Sequence, residues 1–187
     1  MNYRIAILCL MMVIVVAVRA FAPLSNDFIY LASFTGIGAV ALFGGAYIKN
    51  ITQAMILPIA LLFISDLCLI LTMGVDYAFG PSTPFMYGAF ILMTLVGKLI
   101  LRKVNVQNIV LASLTGVFIH WVVTDIPEWY QNPAYAQNLK GFWQVLVLAI
   151  PFERTFLVST LVYSSIMFGA FEFIKVKFPS LAYQKIK

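Results

Sequence analysis

The sequence predicts an all-α, polytopic membrane protein: a single transmembrane domain, 1–187, of six membrane-spanning helices with both termini in the cytoplasm. Three observations predict it. Of 187 residues, 63% are hydrophobic and only 10% are charged, against about 45–50% and about 25% in soluble domains. The apolar residues fall into runs of the length a bilayer crossing needs, about 20 residues rising about 1.5 Å each. Counted as six crossings, these runs also place most of the basic residues at one membrane face. Such a composition excludes a soluble enzyme, a nucleic-acid binder and a secreted disulfide scaffold. The net charge of +5 therefore reads as membrane topology rather than as a patch for nucleic acid.

The first helix covers 5–21 and stops at Ala22-Pro23. Its start, Met1-Asn-Tyr-Arg4, and its end, Ala20-Phe-Ala22, resemble a secretory leader with an A-x-A site, but Arg19 disfavours cleavage, so the helix is expected to be retained. Ser25-Asn26-Asp27 separates it from the second helix, 28–48, and Lys49-Asn50 separates that from the third, 51–73. The turn residues from Gly80-Pro81 to Pro84 lead into the fourth, 85–101, and the polar 103–105 stretch into the fifth, 106–124. The last apolar stretch, 142–174, is too long for one straight crossing. Pro151 with Glu153 and Arg154 is expected to divide it into a short outer segment, 142–150, and a sixth helix, 155–174, followed by a cytoplasmic tail, 176–187.

Charge placement supports the count. Arg4, Lys49, Lys98, Arg102, Lys103, Lys175, Lys177, Lys185 and Lys187 fall at one face, nine of the twelve Lys and Arg, and this excess marks the cytoplasmic side. Only Arg19, Lys140 and Arg154 belong to the other half. Acids do the reverse: Asp27, Asp66, Asp76, Asp125, Glu128 and Glu153 lie in the outer half and only Glu172 inside. Acids contribute little to orientation, so this asymmetry needs another cause. Cys9 and Cys68 fall near opposite ends of their helices, which excludes a bridge between them; both are expected to pack.

Ionisable residues at membrane depth cost several kcal/mol and are functional candidates. From the helical rise, Arg19 lies about 21 Å above Ile5, Asp66 about 22 Å above Ile51 and His120 about 21 Å above Val106. An Arg19–Asp66 ion pair between the first and third helices follows, either as a structural pair or as the floor of a cavity open to the outside. Trp121, Thr124, Asp125 and Glu128 recur at i, i+3, i+4 and i+7, one face of a helix if it runs past Pro127, although Pro127 equally suits a break near Ile126. With Trp129 and Tyr130 they form either an interfacial aromatic belt and loop or part of a ligand site. Glu153 stands at a helix start, where the macrodipole favours an acid. In the second helix, Gly36, Ala41 and Gly45 belong to small-xxx-small pairs that let helices approach closely, for internal packing or for a partner subunit.

No HExxH, CxxC or i, i+4 carboxylate pair supports a metal site, and no GxSG elbow or Walker A loop supports catalysis. His120 alone reads as a hydrogen-bonded packing residue. The sequence thus calls for no enzyme activity, no cofactor and no metal.

Phe34-Thr-Gly-Ile-Gly-Ala-Val-Ala-Leu-Phe-Gly-Gly-Ala-Tyr47, Leu57-Pro58 with Ile64-Ser-Asp66-Leu, His120-Trp-Val-Val-Thr-Asp125, Asn138-Leu-Lys-Gly-Phe142 and Ile150-Pro-Phe-Glu-Arg-Thr155 together resemble an uncharacterised bacterial family of six-helix integral membrane proteins. That family is similar in layout to the substrate-binding S-components of energy-coupling-factor (ECF) vitamin importers. The resemblance implies a chain of the bacterial inner membrane with a ligand pocket near the outer face, working with a coupling transmembrane protein and ATPases. The pocket is expected between the first, third, fifth and sixth helices. Asp66, Asp125, Glu128 and Glu153 would supply charge; Trp121, Trp129, Tyr130 and Phe152, with Trp143, would stack on the ligand. This acidic and aromatic set favours a cationic or neutral heteroaromatic molecule. The alternative is a non-catalytic structural subunit of a larger membrane complex, held by the small-residue face of the second helix.

Overall fold

The computed structural model describes residues 3–21, 34–130 and 132–181. Their regular structure is all helical, with no strand among the described residues. The long helices are α1 (Tyr3–Phe21), α2 (Ile37–Tyr47), α3 (Ile51–Met73), α5 (Thr83–Ile100), α6 (Val106–Thr124) and α8 (Leu139–Lys177). Two single-turn helices, α4 (Val75–Ala78) and α7 (Ile126–Trp129), and a final 3-10 turn (Pro179–Leu181) complete the chain. Among the described residues, four segments are long and apolar enough to cross a membrane: Ile51–Leu71, Thr83–Ile100, Val106–Trp129 and Leu139–Lys177.

Local chemistry sets the helix ends. The side chains of Asn50, Asn105 and Asn138 accept hydrogen bonds from the backbone N–H of Gln53, Asn108 and Gly141, capping α3, α6 and α8. Gly74 closes α3 at φ +86°, a conformation that costs glycine nothing. Lys98 Nζ donates to Ile48 O at 2.5 Å and to Lys49 O at 2.8 Å, placing a cation at the negative end of α2.

Side-chain pairs along the helices fix their directions. Arg4 at the start of α1 donates to Tyr47 O at the end of α2, whereas Arg19 near the end of α1 meets Asp66 late in α3. Tyr87 early in α5 reaches the same Asp66, His120 of α6 meets Glu153 of α8, and Tyr47 meets Glu172 far down α8. Helices α1, α3 and α6 therefore run one way and α2, α5 and α8 the other. One end of the bundle carries Arg4, Lys98 and Lys175, and is called the basic end below. The other carries Asp66, Asp125 and Glu153, the acidic end. Arg4 Nη1 also donates to Leu181 O, so both ends of the described chain meet at the basic end.

Helix α2 is the hub. It touches α1, α3, α5, α6 and α8, and ten of its eleven residues are buried. Phe43 makes edge contacts with Tyr47, Phe168 and Phe171 at ring-centroid distances of 4.8, 5.2 and 5.7 Å. Between α2 and α5 the backbones touch: a Cβ on Gly45 would collide with Thr94 O, and one on Gly97 with Leu42 O. In lipid, where hydrophobic burial drives little, such close packing is what associates helices.

Two expectations change. The described part of the second helix is 11 residues long, starting at Ile37; of the expected 28–48, residues 28–33 lie outside the described residues, as do Asp27 and 182–187 of the expected tail. The break expected at Pro151 is absent, because α8 runs unbroken for 39 residues with Pro151 inside it. Its 39 residues span about 58 Å, nearly twice a bilayer's hydrocarbon core of about 30 Å. Proline removes the donor for the carbonyl four residues back, here that of Val147, while the side-chain hydrogen bonds nearby go to other carbonyls. Trp121 Nε1 of α6 donates to Leu146 O at 3.0 Å, and Thr155 Oγ1 donates to Pro151 O at 3.1 Å. Neighbouring helices and hydroxyls are what make proline tolerable inside membrane helices.

Candidate functional site

At the acidic end the helices form an open cleft of about 180 Å³, lined by Arg19, Thr35, Ile37, Leu62, Met86, Phe90, His120, Phe152, Glu153 and Phe156. Every long helix contributes to it, including α2 and α5, which the sequence does not single out. Its polar groups come in two pairs on opposite walls, one an ion pair and the other a hydrogen bond.

The first wall belongs to α1 and α3. Arg19 Nη2 lies 2.8 Å from Asp66 Oδ1, and Arg19 Nη1 donates to Ser65 Oγ at 2.5 Å. Tyr87 Oη of α5 donates to Asp66 Oδ2 at 2.6 Å. Asp66 is only 1% exposed, and both its oxygens are occupied. It therefore holds Arg19 in place from behind while Arg19 faces the cavity.

The second wall belongs to α6 and α8. His120 Nδ1 lies 3.0 Å from Glu153 Oε1 and 3.3 Å from Oε2, and both side chains are largely shielded. The imidazole is packed by Phe156 at a centroid distance of 4.4 Å and by Phe90 at 5.4 Å. Between the walls, α2 begins. Gly36 is non-helical and so tightly seated that a Cβ would collide with Val15. Thr35 Oγ1 accepts from Ile37 N at 3.3 Å, and Thr35 O accepts from Ser159 Oγ at 2.9 Å. Broken backbone inside a membrane protein is tolerated where it lines a cavity or is packed in protein.

Of the residues singled out in the sequence, Phe152 and Glu153 line the cavity and Asp66 backs it. Asp125 is 8% exposed, within electrostatic range of Glu153, Glu128 and His120, and its Oδ2 has no hydrogen-bond partner. The others do other work. The one-face pattern of Trp121, Thr124, Asp125 and Glu128 does not form, because α6 ends at Thr124 and α7 begins at Ile126, with Pro127 in its first turn. Trp121 is tied to α8 at Leu146, and Thr124 Oγ1 donates back to His120 O at 2.8 Å. Glu128 accepts from Ser82 Oγ at 2.9 Å. Trp129 Nε1 donates to Ala136 O at 3.0 Å, and its ring meets Phe142 at 5.4 Å; Tyr130 and Trp143 are exposed. Gly36, Ala41 and Gly45 are buried in the chain's own bundle, which leaves no small-residue face on α2 for another subunit.

Four groups at the cavity carry no sequence signal of a site. Tyr87 and Ser65 pass as ordinary residues of apolar helices. Phe90 and Phe156 pass as core. His120 and Glu153 were each legible as polar at membrane depth, but their pairing depends on the rotation of α8, which hydropathy does not fix.

The arrangement is that of a helical membrane protein with a paired-charge cavity between its helices. Residues 1–181 match the family described as Family of unknown function (DUF6580), and the chain belongs to that family. No curated protein matches the chain, and no solved structure does.

Proposed function

We propose that this chain is a membrane-embedded solute-binding subunit of a small-molecule importer, similar in layout to the S-components of ECF vitamin transporters. In this reading it crosses the bacterial inner membrane six times with both termini in the cytoplasm, and the acidic end faces outward. The observation that carries the reading is the cavity. An ion pair, Arg19–Asp66, and a hydrogen-bonded pair, His120–Glu153, are held in lipid-facing helices around an aromatic-lined space rather than being replaced by apolar residues. Polar groups at such depth are expensive and mark substrate paths, and a few placed polar groups among aromatic rings suit a small ligand. The solute would be released only with a coupling membrane protein and ATPases in trans, because the sequence offers no nucleotide-binding loop. A purely structural subunit is less well supported, since the small residues that would seat it on a partner are consumed inside the bundle.

Native mass spectrometry of the protein gently purified from its host tests this. A small bound mass, or recovery with a coupling protein and ATPases, supports the importer. Recovery with stoichiometric membrane subunits and neither of these overturns it.

A further inference from the structure

We propose that an open cleft at the basic end binds the phosphodiester headgroup of an anionic phospholipid. Lys49, Asn50 and Gln53 donate to its phosphate oxygens, and its acyl chains lie along the apolar outer faces of α1 and α3. The site is at the opposite end of the bundle from Arg19 and Asp66. It needs only that the helices sit in a bilayer, and does not rest on the solute reading.

Positive charge is in surplus at this end. Against Arg4, Lys49, Lys98, Arg102 and Lys175, the described residues place one acid there, Glu172. That acid is already engaged. Lys175 Nζ lies 2.7 and 2.8 Å from its two oxygens, and Tyr47 Oη donates to Oε1 at 2.5 Å. Lys98 is held by the carbonyls of Ile48 and Lys49. The side chains of Lys49 and Arg102 make no hydrogen bond or ion pair among the described residues. Topology asks only that cations stay on the cytoplasmic side; it does not ask that they gather at a cleft.

They gather on either side of Tyr47. One open cleft, of about 480 Å³, is lined by Arg4, Ile5, Tyr47, Lys49, Asn50 and Gln53, with no acid among its described residues. A second, of about 330 Å³, shares Arg4 and Tyr47 and adds Arg102 and Lys175. The first offers donors that suit a phosphodiester. Asn50 Oδ1 accepts from Gln53 N at 3.1 Å, which leaves the NH2 of that amide to donate outward, beside the Gln53 amide and the Lys49 ammonium. The rim decides between a lipid and a phosphate from solution. Ile5 lines the cleft and is exposed, as are Ile51 at the start of α3 and Leu10 and Ile56 farther along the two helices. In a bilayer such residues face acyl chains, so cations and hydrocarbon meet at one level. Basic pockets between membrane helices on the cytoplasmic side are where anionic headgroups bind.

Native mass spectrometry of the full-length protein, delipidated in mild detergent at low salt, tests the site. The probes are dioleoyl phosphatidylglycerol, dioleoyl phosphatidylcholine and inorganic phosphate at equal concentration. Phosphatidylglycerol should bind more tightly than phosphatidylcholine by about fivefold or more, and inorganic phosphate should not displace it. Lys49→Gln should weaken phosphatidylglycerol binding about fivefold, the worth of one Lys near an anionic lipid. Lys103→Gln removes the same charge at the same face but outside both clefts, and should weaken it by less than about twofold. Equal binding of the two lipids, or binding of neither, overturns the site. Equal weakening by the two substitutions overturns it in favour of diffuse attraction to the basic face. Displacement of the lipid by inorganic phosphate overturns the lipid assignment in favour of a phosphate from solution. Should Lys49→Gln fail to fold, Gln53→Ala at another donor of the cleft takes its place and should weaken the binding more than Lys103→Gln does.

Discussion

Arg19 of α1 and Asp66 of α3 stand 2.8 Å apart, with Ser65 accepting from Arg19 and Tyr87 donating to the second Asp66 oxygen. The pair thus ties three helices at one depth. Removing one member strands the other in a low-dielectric interior, which costs about 3–5 kcal/mol, whereas removing both is far milder. Asp66→Ala alone should sharply reduce the unfolding midpoint in detergent, and Arg19→Met with Asp66→Leu should recover most of it. A double variant no better than Asp66→Ala would contradict a mutually compensating pair.

Glu153 accepts from His120 across α6 and α8. Glu153→Gln keeps an acceptor for the ring and should fold with a small loss, while Glu153→Leu leaves the imidazole without a partner and should cost about 1–3 kcal/mol. Thermal unfolding of the two variants side by side checks the difference, and equal midpoints would show that the hydrogen bond contributes nothing.

Glycines differ by what a side chain would meet. Gly97→Ala would drive a methyl into the Leu42 backbone, so it should destabilise by about 1–3 kcal/mol. Gly88 and Gly169 have nothing within 4 Å of a built Cβ, so their change to Ala should be neutral or stabilising by up to about 1 kcal/mol, the helix-propensity difference. Expression yield and unfolding midpoint of the three variants report this ordering.

Lys98 donates to the carbonyls of Ile48 and Lys49, just past the end of α2. Lys98→Met keeps the apolar stem and removes the donors, and should cost about 1.5–3 kcal/mol, the range for hydrogen bonds to charged groups. Hydrogen exchange at Tyr47 and Ile48 should rise with it; protection as in the unaltered protein would argue that water replaces the cap.

The helix boundaries were most legible where polar caps punctuate apolar runs. Asn50 and Asn105 stand immediately before α3 and α6 and accept the hydrogen bonds their positions suggest. Arg19 and Asp66 were legible as equals in depth because charged side chains in lipid must find each other. Pro151 misleads for a physical reason: a proline that would end a helix in water is tolerated inside one packed among apolar helices, and α8 continues through it. The aromatic belt after His120 was legible as residues but not as contacts. Whether Trp129 faces a cavity or its own loop depends on the turn at Asp125, and the loop takes it through Ala136. Tyr87 reaches Asp66 from another helix, a relation that no spacing within one helix encodes.

The central position of α2 also sets an order of events in time. Emerging from the ribosome, it is followed by α3, α5, α6 and α8, and it ends up in contact with all of them. Until those later helices are made, Phe43 lacks its contacts with Phe168 and Phe171, and Gly45 its close approach to Thr94. The innermost helix is thus among the first made and the last enclosed. A nascent chain stalled before α8 would hold its future core against lipid or a membrane chaperone, so a late truncation should harm this protein as much as a lesion in the core itself.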